Sequence, residues 1–470
     1  MATTDEPAAD PTAAVPAAAG APVVHSPVGE WPMWVLGFVI MLDQIDQYIV
    51  RGAATQIQAA FHISDLGIGV LLSAFVVVNG IVTVPAGYLA DRWNRTRTIG
   101  HTVVAWSGIT MVTAAAGNFA TLVGLRALLG FGQAVTEPSA ASLLSDYYPT
   151  NERGKVFSNQ QIMGFVGAGL GIAIGGSVAA TLGWRWAFLV VGFPGFLVAL
   201  LCFRLREPPH DYADKLTLGV DEWTEPEKTP LFDNGFRAFM RDLVQGLRQD
   251  FGVIWSIPTM RYALVGISAL MFTVSGVGAW LPKFHQLYSG MSAITAANVV
   301  GAVLIVGGVP GLLLGGRLAD RYAQRVQGAR VVIPAYCIWV GITFFTLSYV
   351  PLPGAASVAL QVLGIFWVTM AIPALRAGLA DAVPSQLRGA GFGAFNLASI
   401  VFGAAAAPIL VGWLSDIWGL RAAFLVCSAP VYVGAYVLYC ARTHLDEDAM
   451  KIFEAVVRAM EQEQARDGAS

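Results

Sequence analysis

Gly87-Tyr-Leu-Ala-Asp91-Arg92 and Gly316-Arg-Leu-Ala-Asp320-Arg321 are two copies of one phrase, 229 positions apart. Two more phrases recur at almost the same offset. Asp146-x-x-Pro149-x-x-x-Arg153-Gly154 returns 235 positions later as Asp381-x-x-Pro384-x-x-x-Arg388-Gly389. Gly183-x-Arg185-x-Ala-Phe-Leu-Val returns 236 positions later as Gly419-x-Arg421-x-Ala-Phe-Leu-Val. Three phrases in the same order at near-constant spacing describe an internal duplication, so the chain reads as two parallel repeats.

The stretches between the phrases say what is repeated. The chain of 470 residues is 56% hydrophobic and only 13% charged, where a soluble domain carries about a quarter charged residues. That apolar excess has to face lipid. A spanning helix needs about 20 mainly apolar residues, and such runs fall near 32–55, 66–89, 98–117, 121–146, 156–180 and 185–205. They resume near 262–287, 293–316, 330–350, 354–379, 389–413 and 419–441. The fold expected is therefore an all-α integral membrane protein of about twelve spans in two six-helix repeats. Its expected divisions are a disordered cytoplasmic tail over 1–30, a first bundle over 31–206 and a cytoplasmic linker over 207–260. A second bundle over 261–442 and a cytoplasmic amphipathic tail over 443–470 complete the chain.

Basic residues set the expected orientation. Arg92, Arg95 and Arg97, then Arg153 and Lys155, then Arg321, Arg325 and Arg330, then Arg388 all follow even-numbered spans. The opposite loops hold chiefly Lys283, Arg185 and Arg421. The positive-inside bias puts both termini and the linker in the cytoplasm of a cell with this protein in its inner membrane. The first 30 residues carry no Lys or Arg, so no cleavable signal peptide is expected.

A net charge of −3 argues against a nucleic-acid partner. Cys202, Cys337, Cys427 and Cys440 lie in apolar runs without paired spacing, which fits buried thiols and neither a disulfide frame nor a metal site. No phosphate-binding Gly-x-x-x-x-Gly-Lys-Ser/Thr loop is present, and the six histidines sit in tails, in the linker or alone at helix ends. No cofactor and no enzymatic activity are expected.

The duplication, running from Trp34 to Arg442, resembles the major facilitator transporters, whose halves are parallel repeats that rock about a midplane site. The resemblance implies a cytoplasmic gate built from Gly87, Asp91, Arg92, Arg95, Asp146 and Arg153. Its second copy would be Gly316, Asp320, Arg321, Asp381 and Arg388. In that pattern Asp91 meets the start of the eleventh span, and Arg95 pairs with Asp146 to hold the cytoplasmic side shut. The alternative is that these charges merely orient loops.

Ionisable groups inside apolar spans are functional suspects, because each costs at least a few kcal/mol to place there. The first half holds Asp43, Asp46 and Arg51 in span 1, with Arg126 and Glu137 in span 4. The position matching Glu137 in the second half is Ile372. The expected cavity is thus polar on its first-half wall and apolar on the other, which suits an amphipathic small molecule. Asp46-Gln47-Tyr48, Arg126-Ala-Leu-Leu-Gly130-Phe-Gly132-Gln133-Ala134 and Val277-Gly-Ala-Trp280-Leu-Pro282 resemble the spinster-type lipid transporters. That group moves lysophospholipids or sphingoid phosphates. Its pattern has Asp-Arg-Tyr and Gly-Glu-Ala where this chain has Gln47 and Gln133, so an ion pair there becomes two amides able to hydrogen-bond.

Arg51 and Glu137 each lie four residues beyond those positions, but on antiparallel helices the two advances separate them by about 11–12 Å along the membrane normal. Asp46 is therefore expected to pair with Arg126. Glu137 is left buried without a named partner, a setting that favours a protonated carboxyl. Asp46 and Glu137 are the expected proton-coupling groups, with Gln47, Tyr48, Arg51, Arg126 and Gln133 beside them. The function expected is proton-coupled rocking transport by a monomer. Alternatives are an organic-anion symporter, a drug/proton antiporter or, more distantly, a transporter-like sensor.

Overall fold

A computed structural model describes residues 25–90, 94–209, 212–217, 255–323, 329–382 and 397–445, with single positions between 235 and 252 and at 447, 448 and 450. The first bundle contains α1 (Trp31–Phe61), α2 (Asp65–Ala90), α3 (Arg95–Thr113), α4 (Phe119–Gln133), α5 (Thr136–Tyr147), α6 (Thr150–Thr181) and α7 (Trp184–Cys202). A short α8 (Tyr212–Thr217) follows. The second bundle contains α9 (Pro258–Tyr288), α10 (Ala293–Ala323), α11 (Ala329–Ser348), α12 (Gly354–Ala382), a π-helical turn Ser399–Ala404, α13 (Ala407–Trp418) and α14 (Leu420–Cys440). Eleven helical stretches among the described residues are long and apolar enough to cross a membrane. α3 is not among them, with Arg95, Arg97 and His101 in its first turns and several Thr, Ser and Gly residues along it.

Three local readings change. The fourth span is two helices, α4 and α5, broken at Ala134–Val135. Pro138 explains the break, since it has no N–H to donate to the carbonyl four residues back. The eleventh span extends beyond 413, its described part running through the π-turn to Trp418. Finally, residues 25–30 are not a loose tail. Ser26 Oγ donates to the Tyr147 carbonyl at 2.6 Å, and Glu30 meets Lys155 at 2.5 Å. The Tyr148 hydroxyl donates to the Gly29 carbonyl at 2.8 Å and accepts from the Met33 N–H. Burial pushes this phenol up to about 12, so it keeps its proton. Most of the linker, and the tail beyond 450, lie outside the described residues.

The third repeated phrase has a purely structural explanation. Gly183 and Gly419 both adopt positive φ, +97° and +82°, at the tight turns that start α7 and α14. Arg185 and Arg421 two residues later lie over the rings of Trp184 and Tyr288, at 4.4 and 4.3 Å.

The two bundles meet at the end opposite the arginine-rich loops, here called the far end. A Cβ at Gly301 of α10 would lie 2.4 Å from the Gly169 carbonyl oxygen of α6, and one at Gly69 of α2 would lie 2.4 Å from the Pro408 carbonyl of α13. Such backbone approach is what small residues in membrane helices permit. One buried apolar cluster runs from the first bundle through Trp280, Phe284 and Phe424 of the second.

Candidate functional site

Asp43, Asp46 and Gln47 recur on one face of α1 at helical spacing, and Arg126 and Gln133 two turns apart share a face of α4. Where these faces meet, Arg126 Nη1 lies 3.3 Å from Asp46 Oδ1, and its Nη2 donates to the Asp46 backbone carbonyl at 3.2 Å. Thr110 Oγ1 and Gln133 Nε2 donate to Asp46 Oδ2 at 2.7 and 3.0 Å. The guanidinium also stands 5.4 Å from the centre of the Phe75 ring. Asp46 is 0% exposed and Arg126 1%. The pair is thus desolvated, and its lone pairs are almost fully occupied, which is the condition under which a buried ion pair holds.

The two glutamines do not bond to each other. Gln47 Nε2 donates to Asp43 Oδ2 at 2.8 Å, while Gln133 turns to Asp46. Each amide takes the stronger acceptor, a carboxylate, which makes a better hydrogen bond than a neutral carbonyl. Glu137 is not buried, as expected, but exposed in the first turn of α5. The carboxylate left with a vacant buried oxygen is Asp43, whose Oδ1 has no partner. Asn79 Nδ2 donates to the Gly130 carbonyl at 3.3 Å, joining α2 to α4.

Arg51 and Glu137 are not joined by an ion pair among the described residues. Arg51 instead lies flat on Tyr48, its guanidinium carbon 4.0 Å from the ring centre, with its Nε buried and unpartnered. Both side chains face a cavity whose other wall belongs to the second bundle: Val277 and Leu281 of α9, Leu304 of α10, Phe345 of α11 and Val368 of α12 among others. Thr273 also lines it, but its hydroxyl is committed to the Cys427 carbonyl at 2.6 Å. The cavity has a cation on one side and a mostly apolar wall on the other, where the Tyr349 hydroxyl is buried without a hydrogen-bond partner among the described residues.

At the arginine-rich end, Arg95 is wholly buried. It meets Asp146 at 2.5 Å and Glu207 at 2.8 Å, and donates to the Ser142 hydroxyl and the Pro208 carbonyl. Glu207 also accepts from the Thr96 N–H at 2.8 Å, at the start of α3. Sequence reading placed Glu207 in a soluble linker and missed it. Arg153 caps the end of α5 through the Tyr148 and Ser145 carbonyls. Gly316 approaches Pro373, and Arg321 is exposed. The side chains of Asp91, Arg92, Asp320, Asp381 and Arg388, and the surroundings of Gly87, lie outside the described residues.

A second polar cluster, absent from the sequence reading apart from Lys283, joins the bundles at the far end. Asp416 of α13 accepts from the N–H groups of Asp65 and Leu66 at 3.1 and 3.0 Å, capping the positive end of α2. Asp65 pairs with Lys283 of α9 and accepts from Ser415 at 2.7 Å and Gln58 at 2.6 Å. Lys283→Ala should weaken this closure by about 1–3 kcal/mol, the usual cost of stranding a buried acceptor. Labelling of Ala297→Cys, buried against Gly176 of α6, by a membrane-impermeant maleimide should then rise about tenfold. Unchanged labelling would mean that the ion pair does not hold the far end.

The family model described as Major Facilitator Superfamily matches residues 36–401. Protein spinster homolog 3 of Homo sapiens is 25% identical over 452 residues, covering 90% of this chain and 85% of that protein. Protein spinster of Drosophila melanogaster is 26% identical, covering 86% and 65%. The probable L-galactonate transporter of Escherichia coli is 25% identical, covering 86% and 87%. Among solved structures, a bacterial homolog of the human lysosomal transporter Spinster, inward-facing and unoccupied, superposes with a TM-score of 0.73 at 20% identity, covering 90% of this chain and 98% of that one. A duplicated bundle, a buried ion pair between α1 and α4 and a central cavity agree with these likenesses: the chain belongs to the Major Facilitator Superfamily, as a transporter of the spinster type.

Proposed function

We propose that this protein is a proton-coupled secondary transporter of an amphipathic small molecule, a lysophospholipid or sphingoid-like lipid with an anionic head. The observation that carries the reading is Arg51, a guanidinium without a carboxylate partner among the described residues, facing an apolar cavity. The head group sits against Arg51 and Tyr48, and the tail lies along α9 to α12. The arginine-rich loops face the cytoplasm, with both termini, and the protein works as a monomer in the inner membrane. The Arg95–Asp146–Glu207 cluster and the loops that flank it serve the cytoplasmic gate, alternating with the far-end closure as the bundles rock.

Reconstituted proteoliposomes test this directly. Labelled lysolipid should enter or leave, faster with a proton gradient, and compete with unlabelled lysolipid. If it neither moves nor competes, the lipid reading falls. A small organic anion is the second reading, supported by the names of the galactonate transporters among the relatives; uptake of organic acids in the same vesicles would select it. In either case Arg51→Ala should raise the apparent KM by about tenfold or more, the worth of one hydrogen bond to a charged group. Stability should change little, because Arg51 holds no ion pair among the described residues. An unchanged KM would exclude Arg51 from the head-group site.

A further inference from the structure

The first bundle buries more negative than positive charge. Asp46 is neutralised by Arg126 at 3.3 Å. Asp43, one turn away and only 8% exposed, is not. Its Oδ2 accepts from Gln47 at 2.8 Å and Gln44 at 3.2 Å, two neutral amides. Its Oδ1 is buried with no hydrogen-bond partner among the described residues. The charged groups around it are Asp46 and Arg51 on its own helix, Arg126 on α4 and Glu137 on α5. Of these, Arg126 is committed to Asp46, Arg51 lies over Tyr48, and the two carboxylates within Coulombic reach repel it. The neighbouring helices also carry neutral polar groups that end in unpartnered buried atoms, among them Ser107 of α3, Gln133 of α4, Ser139 of α5 and Gln160 of α6. The lysine of α9 is held by Asp65.

An ionised carboxylate without a cation is costly at this depth, and two remedies exist: a bound proton or a bound metal cation. No group of three or more His, Cys, Asp or Glu among the described residues is arranged to hold a metal ion. Gln47 is decisive here. It stands one turn on from Asp43, and its amide fills one oxygen without neutralising the charge.

We propose that Asp43 is the proton-carrying carboxyl of this transporter, with the proton on Oδ1. This deepens the proton-coupled reading and rests on it. The O–H bond breaks at Asp43 and the proton passes to the exposed carboxylate of Glu137 or to water beside it; nothing is oxidised or reduced. Asp46 stays ionised against Arg126 throughout. Asp43 therefore does the work that the sequence assigned to Asp46 and Glu137.

Infrared difference spectroscopy of the intact protein in lipid nanodiscs tests this without any substrate. The wild type should show a protonated-carboxyl C=O band that fades reversibly as pH rises. Asp43→Asn, an isosteric change, should lose that band, and Glu137→Gln should keep it. Gln47→Arg, which places a cation beside Asp43, should lose it as well, so the assignment does not hang on one variant. A band unchanged in Asp43→Asn overturns the proposal. So does a wild type that lacks the band and is instead stabilised by Na⁺ in a manner lost in Asp43→Asn. In proteoliposomes, gradient-driven lysolipid accumulation by Asp43→Asn should fall about tenfold, within the usual span of ligand coupling, while exchange at equal pH persists. If the wild type itself ignores the proton gradient, the proton-coupled reading fails, whereas the infrared band still decides Asp43 alone.

Discussion

Arg126→Ala should destabilise the folded protein by about 3–5 kcal/mol, the cost of stranding one member of a buried ion pair, and should abolish transport. The reason is geometric. Arg126 supplies one hydrogen bond to the Asp46 carboxylate and another to its backbone carbonyl, and it is the only cation within ion-pair distance of Asp46 among the described residues. Thr110 and Gln133 would remain, but two neutral donors do not neutralise a carboxylate that is 0% exposed. Arg126→Lys should be intermediate, since an ammonium keeps the charge and loses the planar fork that reaches both oxygens. Asp46→Asn combined with Arg126→Ala should recover much of the stability but none of the transport, because removing both charges leaves nothing stranded. Thermal unfolding in nanodiscs, read beside flux, separates the two effects. A single-variant loss below about 1 kcal/mol would show that Asp46 is compensated from elsewhere.

The second large effect concerns movement. Gly301→Leu should leave each bundle folded yet stop the cycle, because its side chain enters the contact between them. A Cβ there would stand 2.4 Å from the Gly169 carbonyl, and backbone on the facing helix cannot swing aside. Overpacking of about 1–3 kcal/mol would shift the equilibrium away from the closed far end by about ten- to a hundredfold. Ser177 and Asn298 touch at 3.2 Å across the same seam. Ala297 beside them is buried against Gly176, so impermeant-maleimide labelling of Ala297→Cys should rise sharply in the Gly301→Leu background, while helical content is kept. Normal flux with unchanged labelling would mean that α6 and α10 need not close here.

Much of the architecture is visible in the chain itself. Lipid tolerates few backbone solutions, so length and apolarity name a spanning helix with little help from packing. The repeated phrases then order the helices into halves. Departures arise where one residue changes local hydrogen bonding, as Pro138 does between α4 and α5. Others arise where the chain returns from a distance: Glu207, in a stretch read as linker, reaches Arg95 112 positions away, and Asp416 caps a helix 351 positions earlier. Neither contact leaves a periodic mark in the sequence.

The doubled Gly-x-Leu-Ala-Asp-Arg phrase, the apolar spans and the confinement of charge to one half were determined by the sequence alone, because each depends on composition and spacing along one helix. The pairing of Asp46 with Arg126 was already expected from the sequence; that Asp43 is the carboxylate left without a cation was decided only by tertiary structure. Asp43 and Asp46 lie one turn apart on α1, about 4–5 Å along its axis. The chain itself supplies that spacing along one helix, but not which polar groups of the neighbouring helices meet each carboxylate. The rotation of α4 against α1 therefore chose Asp46 for the guanidinium and left Asp43 with an amide.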